Sequence, residues 1–230
     1  MGEQMANTGA ALRYQTHWKS AAELNALPQD IHFKPLKLRH LEAILPAGLQ
    51  RGIIAELHGV RSVGVASLCF HVLAEATAEG EVCAVVDLNG SFDPASAAAA
   101  GIALERIIWV NCSGNPEAAM RACDLLLHAG GFGVVYLDLS EASARLLNKI
   151  PVSYWHRFRQ AVEHSPTILL VSAPTPQAGS RAALRLEIRL AAVAWSGQER
   201  FTVLRGLKNV VTRGGKMAPV RPHILFLKAA

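Results

Sequence analysis

The residues whose types could do chemistry gather around a glycine turn. Gly59-Val-Arg-Ser-Val-Gly64 follows a short apolar run ending at His58 and precedes an apolar helix pattern from Val65 to Ala78. A strand, a turn with two glycines five apart and a helix outline a phosphate-binding loop. In such a loop the glycines let backbone N–H groups close on a phosphate. A lysine reaches the β- and γ-phosphates, and a Ser or Thr hydroxyl holds Mg²⁺. Here the two positions after Gly64 are Val65 and Ala66, with Ser67 one further on. The turn keeps the spacing and lacks both the lysine and the hydroxyl. Two carboxylates complete the set: Asp87 ends the run VCAVVD, and Asp138 lies near the end of VVYLDL. Several apolar residues followed by an aspartate is how an NTPase places the carboxylate that orients Mg²⁺ and water. Strand-end aspartates are also ordinary turn and capping residues, so each carries weight only jointly with the glycine turn.

The elements that must position these groups alternate regularly. Strand 53–58 leads to helix 65–78, strand 82–87 to an Ala-rich helix 94–100, and strand 107–111 to helix 115–129. Strand 133–139 leads to helical segments 141–148 and 153–164, and strand 167–172 closes the series. Five apolar strands separated by helices predict a parallel sheet wrapped on both faces. Ligands in such sheets sit at the carboxyl ends of the strands, where the turn 59–64, Asp87 and Asp138 all fall. After Pro176 the pattern changes. Leu184–Trp195, Arg200–Arg205 and His223–Lys228 alternate with glycine turns, which predicts antiparallel strands added at one sheet edge. Ahead of the core, residues 1–47 read as an arm: a polar tail, a short helix over 20–30 and a brief helix over Leu38–Leu45. The core domain is 48–230.

Composition narrows the classes. The 230 residues are 51% hydrophobic and 18% charged, which suits one sizeable domain plus an arm. No apolar run approaches the roughly 20 residues of a membrane span. The N-terminal stretch has no apolar signal core, so a cytoplasmic protein is expected. Cys69, Cys83, Cys112 and Cys123 form no CxxC pair and fall in predicted core elements, as buried free thiols with no metal site do. His58, His71 and His128 lie in or beside apolar elements and read as core-edge histidines. Trp155, Phe158 and Val162 recur at helical spacing, the pattern of packing rather than of a stacking platform. No Gly-x-Ser-x-Gly elbow supports Ser-His-Asp catalysis. The net charge of +5 permits an acidic partner without naming one. The basic C-terminal stretch holding Arg205, Lys208, Arg213, Lys216, Arg221 and Lys228 is the candidate contact to DNA or a partner.

From about Gly48 to about Pro222 the chain resembles the RecA recombinase core. The carrying segments are Gly48–Gly59, Val82–Asp87 with Phe92-Asp93-Pro94, Val134–Asp138, Ala183–Arg189 and Gly215–Pro219. The resemblance implies a RecA-like P-loop NTPase fold: α/β, a mostly parallel sheet flanked by helices, with C-terminal antiparallel strands. It also implies where chemistry has been lost. The Walker lysine and hydroxyl positions are Val65 and Ala66. The catalytic glutamate position is Arg61, and the γ-phosphate-sensing glutamine falls at Ser172 or Ala173. The two DNA-binding loops shrink to Ser140–Ser143 and Pro174–Ala182. Loss of positioning, general base and charge stabilisation together predicts no ATP hydrolysis, no bound cofactor and no catalytic residues.

Among degenerate relatives of that core, the chain is most similar to the ImuA family, through Leu104–Val110 and Ala183-Leu-Arg-Leu. That resemblance implies an interaction subunit in error-prone translesion synthesis within the DNA damage response. Its partners would be an ImuB-like Y-family polymerase homologue and an error-prone DnaE-type polymerase, with RecA and single-stranded DNA as further contacts. Two other readings stand beside it. One is a DNA-dependent ATPase with a rearranged site, in which Lys216 or Arg61 supplies the missing charge and Asp87 and Asp138 hold Mg²⁺. The other is a SulA-like cell-division inhibitor.

Overall fold

In a computed structural model of the protein, residues 35–38, 41–198, 201–215 and 220–228 are described. The expected tail and helix before residue 35 lie outside them. Five short strands alternate with helices: β1 (Ile54–His58), α1 (Val65–Ala78), β2 (Cys83–Asp87), α2 (Pro94–Ala99), β3 (Ile107–Asn111), α3 (Pro116–Ala129), β4 (Val134–Asp138), α4 (Ala144–Leu147), α5 (Val152–Glu163) and β5 (Ile168–Ala173). Three longer strands follow, β6 (Leu184–Gln198), β7 (Phe201–Gly215) and β8 (Val220–Lys228). They form one eight-stranded sheet in the order β3-β2-β4-β5-β1-β6-β7-β8. Every pairing from β3 to β6 is parallel, and β6–β7 and β7–β8 are antiparallel.

The continuous apolar character of β1, β2, β4 and β5 follows from this topology. Each is fully buried, because helices cover both faces of the sheet. Alternate residues feed two cores. Val134, Tyr136 and Leu170 pack with Leu68, Val72 and Leu73 of α1 on one face. Val135, Leu137 and Leu169 pack with Met120 and Cys123 of α3 and with Trp155, Phe158 and Val162 of α5 on the other. The helical spacing of that last trio is thus packing, as expected. All four cysteines are buried free thiols.

Three details differ from the sequence reading. Among its described residues Leu38–Leu45 holds no α-helix: Leu41 is in a 3-10 turn, and bonds such as Leu45 N to Leu41 O at 2.7 Å close the turns that follow. Its apolar side chains nevertheless join the core: Leu36, Leu38, Leu41, Ile44, Leu45 and Leu49 are all buried. An isolated antiparallel bridge, Leu36 to Leu49, ties the two ends of this segment together. From Leu36 on, the segment assigned to an arm therefore belongs to the packed body. The helical reading of 141–148 contracts to the single turn Ala144–Leu147, capped by Ser143. Finally, β6 and β7 run to 15 residues each, longer than the glycine turns implied. Bulges near Ala192 and Trp195 let the hairpin bend while pairing continues.

Candidate functional site

The carboxyl ends of β1, β2, β4 and β5 come together because the strands share register there. Asp87 lies opposite Asp138, Asp138 opposite Ser172, and Ala173 opposite His58. The turn leaving β1 runs Gly59 to Gly64 and delivers the chain to α1. Gly64 adopts φ 88°, the left-handed region that glycine occupies without strain, and Ser62 adopts φ 62°. α1 has no side-chain N-cap, so its first-turn N–H groups have no side-chain acceptor. A cavity of about 290 Å³ opens there, lined by Gly59 to Ser62, Gly64 to Ser67, Ser140, Glu141, Ala173 and Leu207.

The sequence-predicted positions Gly59, Arg61, Gly64, Val65, Ala66 and Ser67 all line this one cavity. Its charge is balanced internally. Arg61, the one cation among the described lining residues, forms an ion pair with Glu141. Val65, the residue that follows Gly64, is buried. The turn is also held from the antiparallel strands. Asn209 on β7, fully buried, donates from Nδ2 to the carbonyl of Val63 at 2.9 Å, and its Oδ1 has no hydrogen-bond partner among the described residues. Leu227 on β8 packs against Gly64.

Asp138 and Asp87 are near the turn, yet both are occupied by the protein itself. Asp138 Oδ1 accepts from Ser172 Oγ at 2.7 Å and from the backbone of Ser140 at 2.9 Å, and Oδ2 accepts from Ser91 Oγ at 2.9 Å. Tyr136 OH, fully buried, lies 2.9 Å from Ser172 Oγ and extends the chain into the core. Asp87 accepts from the backbone N–H groups of Asn89, Gly90, Ser91 and Phe92 at 2.8–3.2 Å. Trp109 Nε1 adds a fifth donor at 3.3 Å. A carboxylate ringed by backbone donors organises the loop that follows its strand. Three protein donors thus take up three of the roughly four acceptor positions of the Asp138 carboxylate.

The sequence reading missed a third buried carboxylate. Glu56 on β1, fully buried, accepts the backbone N–H groups of Gln177 and Ala178 and an Arg185 bond at 3.4 Å. It fastens the loop between β5 and β6, the short segment Pro174–Ala182. The signal was present: Glu56 interrupts an otherwise apolar strand, and an acid there needs partners. Glu141 and Ser91 were missed for a different reason, since only the fold brings them to the site.

Arg205 and Lys208 are exposed on β7. Arg213 is part-buried and donates to the carbonyl of Ile44, which ties β7 to the turn segment before β1. Lys216 and the side chains of Arg221 and Lys228 lie outside the described residues. His128 is no core-edge residue: it is exposed in the last turn of α3, with Nδ1 2.8 Å from the Asp124 carbonyl. His58 is buried at the end of β1, and that burial lowers its pKa. Among the described residues no cluster of His, Cys, Asp and Glu is placed to hold a metal ion, and no helix is long and apolar enough to cross a membrane.

Comparison with known proteins matches this geometry to one fold. Residues 37–149 match the RecA N-terminal domain. Protein RecA of Laribacter hongkongensis is 35% identical over 91 residues, 40% of this chain and 25% of that protein. Protein RecA of Mesorhizobium japonicum is 36% identical over the same length and the same shares. The chain thus spans about a quarter of the length of these curated relatives. A crystal structure of the RadB recombinase superposes with a TM-score of 0.62 at 14% identity, covering 85% of this chain and 96% of that one. The core is RecA-like, with a mostly parallel mixed sheet and C-terminal antiparallel strands.

Proposed function

We propose that this chain is a non-catalytic RecA-like protein of the DNA damage response, an interaction subunit in error-prone translesion synthesis. One observation carries the loss of catalysis. At the mouth of α1, where phosphates would sit, the side chains are Val65 and Ala66, and the one cation among the described lining residues, Arg61, is paired with Glu141. The N-terminal N–H groups of a helix attract anions, but without a lysine they supply neither the charge nor the positioning that phosphoryl transfer needs. The occupied state of Asp138 supports the same reading, because a carboxylate with three protein donors has little left for Mg²⁺ and water. The partners proposed are an ImuB-like Y-family polymerase homologue and a DnaE-type polymerase. Arg205 and Lys208 are the described groups through which the chain would touch single-stranded DNA or RecA.

The test is titration of a fluorescent ATP analogue with Mg²⁺, with and without single-stranded DNA, followed by a phosphate-release assay. Absence of binding and release is expected, together with co-purification of the two polymerases. DNA-stimulated release that is lost in a folded Asp138→Asn variant would make the chain an ATPase with a rearranged site.

A further inference from the structure

A second cavity, of about 650 Å³, opens beside the loop cavity and shares Ala66, Ser67 and Leu207 with it. Phe70 on α1, the segment from Ser91 to Ala100, and Leu204, Leu207 and Leu227 on β7 and β8 form its walls. Its apolar lining continues outward along the hairpin. Leu227 pairs with Leu207, Leu207 with Val193, and Leu204 with Trp195, so strand register places all five on one face. Much of that face is uncovered: Trp195 is 60% exposed, Leu204 38% and Val193 37%. Contiguous exposed apolar surface rimmed by polar groups is the mark of an interaction site.

The charge of the lining restricts what can enter. Among the described residues, Asp93 is its one carboxylate, neither lysine nor arginine lines the cavity, and His71 is the other titratable group. Asp93 caps α2 by accepting from the backbone N–H groups of Ala95 and Ser96 and from Ser96 Oγ. Those bonds fix its carboxylate in place on the rim. A phosphate-bearing or acidic ligand would meet Asp93 with no lysine or arginine among the described lining to answer it. A base set beside apolar side chains would complete both features at once.

We propose that this groove docks a segment of a partner protein carrying large apolar side chains next to a lysine or arginine. The proposal rests on the reading of the chain as an interaction subunit and locates its docking face. Leu204 and Trp195 supply the apolar contact, and Asp93 selects the charge.

The test uses the full chain and two fluorescent amphipathic peptides, one of leucine, phenylalanine and lysine, the other with glutamate in place of lysine. The wild-type chain is expected to prefer the lysine peptide by about tenfold or more, in anisotropy titrations at moderate salt. Leu204→Glu and Trp195→Glu should each weaken binding by about tenfold, the scale of an interface anchor. Ile224→Glu alters an equally apolar and 74% exposed residue on the opposite face, and should leave binding unchanged. Asp93→Asn keeps the helix cap and should abolish the preference for lysine. Absence of peptide binding would overturn the proposal. So would equal losses in Leu204→Glu and Ile224→Glu, or a lysine preference that survives Asp93→Asn. The wider role is scored separately, by damage-induced mutation frequency in cells lacking the chain. Normal mutagenesis with groove-specific binding overturns the role and keeps the groove; the reverse keeps the role and overturns the groove.

Discussion

Leu227 lies against Gly64: a Cβ added to Gly64 would stand 2.3 Å from Leu227 Cδ1. The last strand of the sheet therefore closes on the turn that follows the first strand, and the glycine is what allows it. Gly64→Ala is expected to destabilise by about 1–3 kcal/mol, because alanine at φ 88° is strained and Leu227 must also move. Urea denaturation of Gly64→Ala, Leu227→Ala and the double variant separates the two effects. A coupling energy of at least about 0.5 kcal/mol is expected, and none would mean that the two residues act independently.

Asp138 tests structure against chemistry. Asp138→Ala removes the acceptor of Ser172, Ser91 and the Ser140 backbone, and a loss on the order of 3 kcal/mol is expected from stranded buried donors. A residue kept solely as a metal ligand would leave the urea midpoint unchanged or raise it, since a buried carboxylate would be gone. Ser172→Ala should reproduce part of the loss, because it breaks the link from Asp138 to Tyr136.

Burial holds the imidazole of His58 below its ordinary pKa near 6.5, against the pull of Glu56 and Glu187. The unfolded chain then takes up that proton at higher pH than the folded one. The stability involved is complete above the unfolded value and falls as the pH drops through 6.5 toward the folded value. Unfolding free energies at pH 7, 6 and 5 should decline, and the decline should shrink in His58→Gln. An identical pH slope in the variant would remove His58 as its source.

The four thiols should be inert in the folded protein. Burial pushes Cys83 up to about 12 and raises Cys69, Cys123 and Cys112 as well. A thiolate-specific reagent at pH 8 should label none of them within minutes, and all four once the chain is unfolded. Rapid labelling of a single site under native conditions would point to a local opening beside it.

The alternating half of the fold was legible because a strand buried on both faces reads as an unbroken apolar run, and β1, β2, β4 and β5 are such strands. α1 was recovered to the residue, since Gly64 marks its start and the turn at Glu79-Gly80 its end. Leu38–Leu45 misled because its leucines repeat at helical spacing, yet they are drawn into the core by tertiary packing with Pro46 close behind. At the site, the glycines and strand-end aspartates were visible, being local signals. The Arg61–Glu141 pair, the serines around Asp138 and the anchoring of the turn by Asn209 were not, because each joins residues far apart in sequence. Glu56 was visible as a letter and overlooked as a charge.

The strand order has a consequence for how this protein is made. β1 sits in the interior of the sheet, but both of its neighbours, β5 and β6, are synthesised long after it. Ile54 pairs with Leu169, about 115 residues downstream. At roughly 5–20 residues per second, a ribosome leaves β1 without either partner for about 6–23 s. During that interval an apolar strand with a lone acid, Glu56, has neither of its sheet neighbours to pair with, and its burial waits until the second half of the sheet has emerged.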